Sequence, residues 1–214
     1  MALLAFLVLA WAAPISGAEI LDRVVASIGD AAITQSEVEF EYRLERFLDG
    51  QWPPPAPDRS TLKVVCERLV YQRLILAQAT PDLARDLRFE KTAAEELNGL
   101  RKLFSSPRDY QSALAALHLE ENQILSVLSD QQKILMVIEQ QWRPAATPAA
   151  RDVVSYYREV FTPEYLRTHQ PPVPPLTEVE GQIQEVLAQK NIDELLADWL
   201  EQLGPSRQVH FFGL

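Results

Sequence analysis

Two short runs of strand-forming residues stand at opposite ends of a chain that is otherwise patterned for helices. The first covers residues 21–28 and places its apolar side chains on one face until Gly29 interrupts it. The second covers residues 207–212. A strand without a partner leaves its backbone N–H and C=O groups unpaired, so neither run is stable alone. We therefore predict that the two runs pair with each other and that the ends of the chain close a single module.

Between these runs, apolar residues recur at helical spacing, and prolines and glycines mark where the segments end. Helices are predicted over residues 36–48, 60–78, 90–104, 108–117, 122–142, 148–161 and 177–203. Capping-box patterns precede the first and the last of them, since a Ser or Thr is followed three residues later by a Glu that can return the hydrogen bond. The pattern predicts a mainly α fold, a single helical module with a small two-stranded sheet formed by the N-terminal and C-terminal strands.

Two proline-rich segments interrupt the helical pattern. Residues 51–58 and the stretch around 170–175 cannot be helical, because proline lacks an amide donor and forces its predecessor toward extended geometry. Helical character is predicted to stop at Phe161, which makes residues 162–176 a proline-rich linker. Such segments are usually plain spacers, but they are also pre-extended and can bind a partner with little loss of entropy.

The first 18 residues have the pattern of a cleaved secretory signal peptide. Residues 2–13 are uncharged and mostly apolar, and small residues follow at the positions that a signal peptidase requires. The apolar run is short of the roughly 20 residues that a membrane-spanning helix needs, which favours cleavage over a permanent anchor. We expect a mature chain of residues 19–214 with no stable membrane insertion.

Charge and composition exclude several classes of function. A net charge of -10, with basic residues scattered among acids, opposes binding to nucleic acid. His118, His169 and His210 are too far apart in the sequence to give the ligand spacing of a metal site, and no cofactor motif is present. Cys66 has helical spacing with apolar neighbours and is predicted to be a small buried residue, while His210 is predicted to be exposed on the last strand.

Neither acidic pairs nor aromatic residues single out a site. The carboxylates of 95–96 and of 120–121 are adjacent on helices and point in different directions, so solvated faces are expected rather than paired catalytic acids. Aromatic residues at helical spacing favour a core over a peptide cleft. They are Tyr42, Phe47, Tyr71, Trp142, Tyr156, Tyr157 and Trp199. No catalytic, cofactor-binding or metal-binding residue is predicted, and the residues of a peptide-binding site are left unassigned.

The order of these features resembles that of the SurA family of periplasmic chaperones. Residues 21–38, a strand, a tight turn and a capped helix directly after a signal peptide, resemble the opening of that family. Residues 67–76 (ERLVYQRLIL) look like its second helix, and residues 175–200 with the terminal strand are similar to its C-terminal segment. The resemblance covers nearly the whole mature chain, and implies a core in which residues 177–214 complete the helical part formed by residues 19–161.

The resemblance implies an ATP-independent periplasmic chaperone that holds unfolded outer-membrane proteins in an apolar cleft. SurA-like proteins usually carry parvulin-type prolyl isomerase domains, whereas here the linker 162–176 occupies their place. With 7 glycines and dispersed histidines the chain lacks the residues of that catalytic domain, so we expect no enzyme activity. Two alternatives stay open: a periplasmic assembly or interaction subunit that docks a dedicated protein partner through Trp52 and the prolines 53–55, and a relict or active prolyl isomerase.

Overall fold

The computed structural model describes residues 22–206 and 209–214, so the predicted signal peptide 1–18 lies outside the described residues. The protein begins with the strands β1 (Val24–Ile28) and β2 (Ala31–Thr34), followed by the helices α1 (Gln35–Leu48), α2 (Arg59–Leu76), α3 (Pro81–Ala84), α4 (Arg88–Arg101), α5 (Pro107–Leu117) and α6 (Glu121–Gln141). The remaining elements are a 3-10 turn (Arg143–Ala145), α7 (Ala150–Tyr156), a π-helical turn (Tyr157–Phe161), α8 (Thr162–Thr168), α9 (Leu176–Ser206) and β3 (Val209–Phe211). The predicted mainly α fold is confirmed.

The strands at the two ends of the chain pair with each other, as predicted. β3 runs antiparallel to β1, with Ala26 opposite Phe211 and Ile28 opposite Val209. β1 is the central strand of the sheet, in the order β2-β1-β3. The residues after β3 continue this contact, since the Phe212 amide donates to the Val25 carbonyl at 2.9 Å.

The sheet has three strands rather than the two that were predicted. Gly29 has a φ of 56°, in the left-handed region that glycine adopts without strain, and the chain turns there so that β2 pairs antiparallel with β1. Thr34 then ends β2 and caps α1, with its side chain and that of Glu37 completing the predicted capping box. The sequence does not reveal this strand, because β2 is only four residues long and its last two residues also fit the start of a helix.

The last helix joins two parts of the core. One part contains the sheet, α1 and α2, where Val25, Ile33 and Val38 are buried, and Leu200 of α9 packs against it. Another lies between α2, the end of α6 and the middle of α9. Trp199 contacts both, and its ring meets that of Trp142 edge to face at 5.1 Å. No helix in the described part of the chain is long and apolar enough to span a bilayer.

The prediction that helical character stops at Phe161 is wrong. α7, the π-helical turn and α8 follow one another without a break, so the chain is helical from residue 150 to residue 168. Pro163 has no amide hydrogen to donate, and the π turn in front of it carries the Thr162 amide to the Tyr157 carbonyl, five residues back. The linker is therefore residues 169–175 instead of 162–176.

Both proline-rich segments are attached to the body of the protein by a tyrosine hydroxyl. Tyr42 of α1 donates to the Pro55 carbonyl at 2.9 Å, and Tyr157 donates to the Pro174 carbonyl at 2.7 Å. Proline lacks an N–H group but keeps its carbonyl, so this is the backbone hydrogen bond that it can still form. Each segment is thereby held against the helices that it connects.

Removing residues 209–214 is expected to lower the free energy of unfolding by about 2 kcal/mol. The core would lose its contacts with Val209 and Leu214, and β1 would lose the hydrogen bonds that it forms with β3. Thermal unfolding followed by circular dichroism measures the change. The control is His210→Ala, which removes an exposed side chain and keeps the backbone pairing. Equal midpoints for the truncated and full chains would show that the strand does not support the core.

Candidate functional site

An apolar cavity of about 440 Å³ lies between the start of α2 and the C-terminal strand. Val25 of β1 and Cys66 of α2 form part of its wall, and Phe211 and Leu214 line it from the C-terminal segment. This volume is within the range of small-molecule and side-chain binding pockets. Its lining is mostly apolar, so we take it as the candidate binding site.

One face of α2 supplies both the wall and the rim of this cavity. Arg59, Lys63 and Cys66 are separated by four and three residues, which places them on the same side of a helix. The helix begins where the first proline-rich segment ends, with Asp58 as its N-cap. The Thr61 amide donates to the Asp58 carboxylate at 2.7 Å and the Ser60 hydroxyl at 2.8 Å, and these hydrogen bonds lower the pKa of Asp58.

Cys66 is a wall residue rather than a nucleophile. The thiol is buried, as predicted from its helical spacing. Burial raises its pKa, and the neighbouring Glu67 charge acts in the same direction. A thiol with a raised pKa is protonated at neutral pH, so Cys66 contributes apolar surface and not reactivity.

The rim of the cavity is basic, in contrast to the net charge of the whole chain, which is -10. Arg59 is exposed and forms no ion pair in the part of the chain that the structure describes. Lys63 lies 3.8 Å from Glu67, but the Lys63 side chain is 72% exposed, and such a pair at the surface contributes little. The site therefore combines an apolar interior with a positively charged entrance.

β3 presents an open edge beside the cavity. Because the Phe212 amide bonds to the Val25 carbonyl, these two residues form a hydrogen-bonded pair of the antiparallel ladder. Pairs alternate along such a ladder, so the N–H and C=O groups of Phe211 and Val209 point away from β1. No further strand pairs with β3 within residues 22–206 and 209–214. Phe211 and Phe212 are also 51% and 58% exposed.

The histidines and the acidic pairs do not come together. His118, His169 and His210 are all exposed and lie at the end of α5, after α8 and on β3. Among the described residues no group of three His, Cys, Asp or Glu side chains could hold a metal ion. The prediction that His210 is exposed is confirmed.

Three of the four carboxylates in the two acidic pairs have a partner of their own. Glu95 lies 4.0 Å from Lys91, whereas Glu96 accepts from the Gln132 amide at 2.7 Å. Glu120 is the N-cap residue of α6, where its backbone amide donates to the Gln123 side chain at 3.2 Å, and Glu121 forms a bidentate pair with Arg101. Neither pair offers two carboxylates to one substrate, which agrees with the expected helix faces, although three of the four groups have defined structural contacts.

Most of the aromatic residues named from the sequence belong to the core. Tyr42, Phe47 and Trp142 are buried, and Trp199, Tyr156 and Tyr157 pack partly buried against core clusters. Tyr71 is the exception, since it is 42% exposed. None of the seven lines the apolar cavity. The aromatic residue that does so, Phe211, was not singled out, although two adjacent phenylalanines on one strand must point to opposite sides, and a small sheet cannot bury both.

Comparisons with protein-family models, with curated proteins and with solved structures each gave no match for this chain. What the cavity binds therefore has to follow from its own shape and charge. An apolar pocket beside an unpaired strand edge fits an extended polypeptide, since the edge can bond the backbone and the pocket can receive a side chain.

The cavity is expected to bind 8-anilinonaphthalene-1-sulfonate, whose apolar rings fit the interior and whose sulfonate is attracted to Arg59 and Lys63. Reversing both charges, in Arg59→Glu with Lys63→Glu, is expected to weaken binding at least tenfold, because each reversal changes the electrostatic energy by about 1 kcal/mol. Fluorescence titration of the folded protein measures the affinity.

The matched control makes the same change of charge at Arg151 and Lys190, which are exposed on α7 and α9. This variant should bind the dye like the unaltered protein. If both variants lose the same affinity, net charge and not the rim of the cavity is responsible.

Proposed function

We propose that this protein is an ATP-independent chaperone that binds extended segments of unfolded proteins, and that its clients are outer-membrane proteins in the periplasm. The observation that carries the proposal is the apolar cavity beside the open edge of β3, with Phe211 and Phe212 exposed next to it. Exposed apolar surface joined to a pocket is typical of surfaces that bind other chains.

Binding would use strand addition to β3. An extended segment that lies beside this strand bonds to the outward backbone groups of Phe211 and Val209, and alternate side chains face the cavity. Main-chain hydrogen bonds do not depend on the side chains of the client, so segments of many different sequences can bind. Segments of outer-membrane β-barrels suit this mode, because they are strand-forming and have an apolar residue at every second position.

The charge of the protein supports a holding function. Its acidic exterior repels other copies of the protein and would keep a loaded complex in solution. The basic rim at Arg59 and Lys63 gives the binding surface the opposite sign, which attracts clients with acidic residues. The proposal includes export through a cleaved leader and membership of the SurA-like chaperones, on the element order described above.

The proposal does not include prolyl isomerisation. That chemistry requires polar groups around a peptide bond held in one pocket, and the candidate cavity is lined mainly by apolar residues. A peptide-based isomerisation assay on the folded protein tests this point, and we expect a rate equal to the uncatalysed rate. A clear acceleration would establish the alternative of an active isomerase.

A second candidate, an assembly subunit with a dedicated partner, rests on Trp52. One face of its ring stacks on Phe104 at 5.4 Å, and the side chain is still 43% exposed. The adjoining prolines are held by the bond from Tyr42 to Pro55. A fixed, half-exposed tryptophan beside a pre-extended segment is a favourable anchor for a partner.

The holding function is tested by light scattering of a diluted, unfolded β-barrel protein. At near-equimolar ratio the protein is expected to suppress aggregation. Phe211→Pro removes the ring and the outward amide, whereas Phe211→Ala removes the ring alone. Because one hydrogen bond contributes about 1 kcal/mol, the proline variant should bind clients about fivefold more weakly than the alanine variant.

Two results are informative. Absence of suppression by the unaltered protein would exclude the holding function. Equal activity of the two variants would exclude strand addition at β3 while leaving client binding intact. The measurement is made on chains with and without residues 1–18, because an apolar leader could itself occupy the cavity and lower the activity of the longer chain.

Capture from periplasmic extract separates the two candidates. The chaperone function is supported if the unaltered protein captures many β-barrel clients and the Phe211→Pro variant does not. The assembly subunit is supported instead if the protein captures one stoichiometric partner, and if Trp52→Ala abolishes this capture while Phe211→Pro does not. Tyr71→Ala is the control, since it also removes an exposed aromatic side chain but lies on α2.

A further inference from the structure

Glu41 of α1 is a largely buried residue whose carboxylate has no partner among the described residues. The residue is 6% exposed, and its side chain accepts no hydrogen bond and forms no ion pair in the described part of the structure. Removing a carboxylate from water is costly unless other groups replace the lost solvation. Among the described residues, no contact replaces the solvation that the Glu41 carboxylate loses on folding.

Glu41 lies where two grooves meet between α1, α2 and α6. Each groove has a volume of about 300 Å³, and Glu41, Gln72 and Gln131 line both of them. The two grooves therefore share one polar centre. Like Glu41, the amides of Gln72 and Gln131 form no side-chain hydrogen bond among the residues that the structure describes, which leaves their carbonyl oxygens free to accept.

The other acids around Glu41 are already neutralised. On α1, Glu37 pairs with Arg73 at 2.7 Å. Glu45 receives both terminal nitrogens of Arg68, at 3.2 and 2.6 Å, so this guanidinium is engaged and acts on Glu41 only at longer range.

The acids farther along the grooves are paired as well. Asp49 of α1 pairs with Arg46 at 3.1 Å, and Asp130 of α6 pairs with Lys133 at 2.9 Å. Of the carboxylates that line the grooves, Glu41 alone adds an unbalanced negative charge in the described structure.

Apolar side chains flank this polar centre. One of the two grooves is lined by Phe40, Leu69, Val127 and Ile134. Such a wall suits an aliphatic stem, and the carboxylate at the junction suits a positive group at the end of that stem.

We propose that the groove between α1, α2 and α6 binds an ammonium or guanidinium group on a short aliphatic stem, with Glu41 as its counter-ion and Gln72 and Gln131 as further acceptors. The site is separate from the apolar cavity at β3 and adds a specificity for cationic groups, which the proposed chaperone function does not require.

The electrostatics of the free site agree with this role. Burial raises the pKa of Glu41, the nearby Glu45 acts in the same direction, and Arg68 opposes them. A bound cation favours the ionised carboxylate. Binding should therefore weaken as the pH falls and Glu41 is protonated. The other charged groups that line the two grooves are Glu37, Glu45, Asp49, Arg68, Arg73 and Asp130, and all of them are paired.

The affinity is tested by NMR titration with n-butylguanidinium and n-butylammonium, with n-butanol as the neutral probe of equal stem length. The cations are expected to bind at least tenfold more tightly than butanol, and Glu41→Gln should remove this difference. Glu95→Gln, the same change at an exposed carboxylate of α4, is the matched control. Equal binding of cations and butanol, or unchanged cation binding by Glu41→Gln, would refute the proposal.

Stability distinguishes a ligand site from a structural role. The raised pKa means that ionised Glu41 destabilises the fold above its folded pKa, and that the effect disappears as the pH falls below the unfolded value near 4.5. Glu41→Gln should therefore raise the melting temperature at pH 7 and have no effect in acid. A lower melting temperature would show that Glu41 supports the fold, and would contradict the proposal.

A capped arginine identifies the source of the cation. If N-acetylarginine methylamide binds more tightly than n-butylguanidinium, the groove takes a side chain of a polypeptide. If the two compounds bind with equal affinity, the natural ligand is a small free amine or guanidine.

Discussion

The architecture depends on the need of β1 for a partner on each side. This strand lies in the core, with Val25 and Ala26 fully buried, so water cannot satisfy its N–H and C=O groups. β2 meets the need on one side within a few residues of chain, but the other side is filled from the far end of the sequence. Because β3 must reach β1, α9 has to cross the molecule, and its crossing brings Trp199 between two parts of the core.

How well the sequence predicted each element depended on how much of its signal is local. The long helices repeat their apolar residues over several turns, and their observed limits lie within a few residues of the predicted ones. The pairing of the terminal strands followed from an unsatisfied backbone alone. β2 is too short to show the two-residue period of a strand. The helix continues through Pro163 because the Thr162 amide bonds to the Tyr157 carbonyl, and residue propensities for helix formation do not predict this bond.

The two sites differ in how visible they were. The cavity at β3 is formed by residues from both ends of the chain and from α2, so no local pattern could reveal it. Glu41 did carry a signal, since it stands three residues after Val38 and beside Tyr42 on the apolar stripe of α1. A single charge in such a stripe marks a position where burial and solvation conflict. The acidic pairs are more conspicuous, because their carboxylates are neighbours in the sequence.

The bond from Tyr157 to Pro174 also defines where the fold can accept more chain. It fixes the path into α9 at a point just before that helix begins, whereas residues 169–172 lie on the far side of the bond. Residues added to that stretch would therefore leave the bond, α8 and the entry to α9 in place. The hydrogen bond thus separates the packing of the two helices from the length of the chain that joins them.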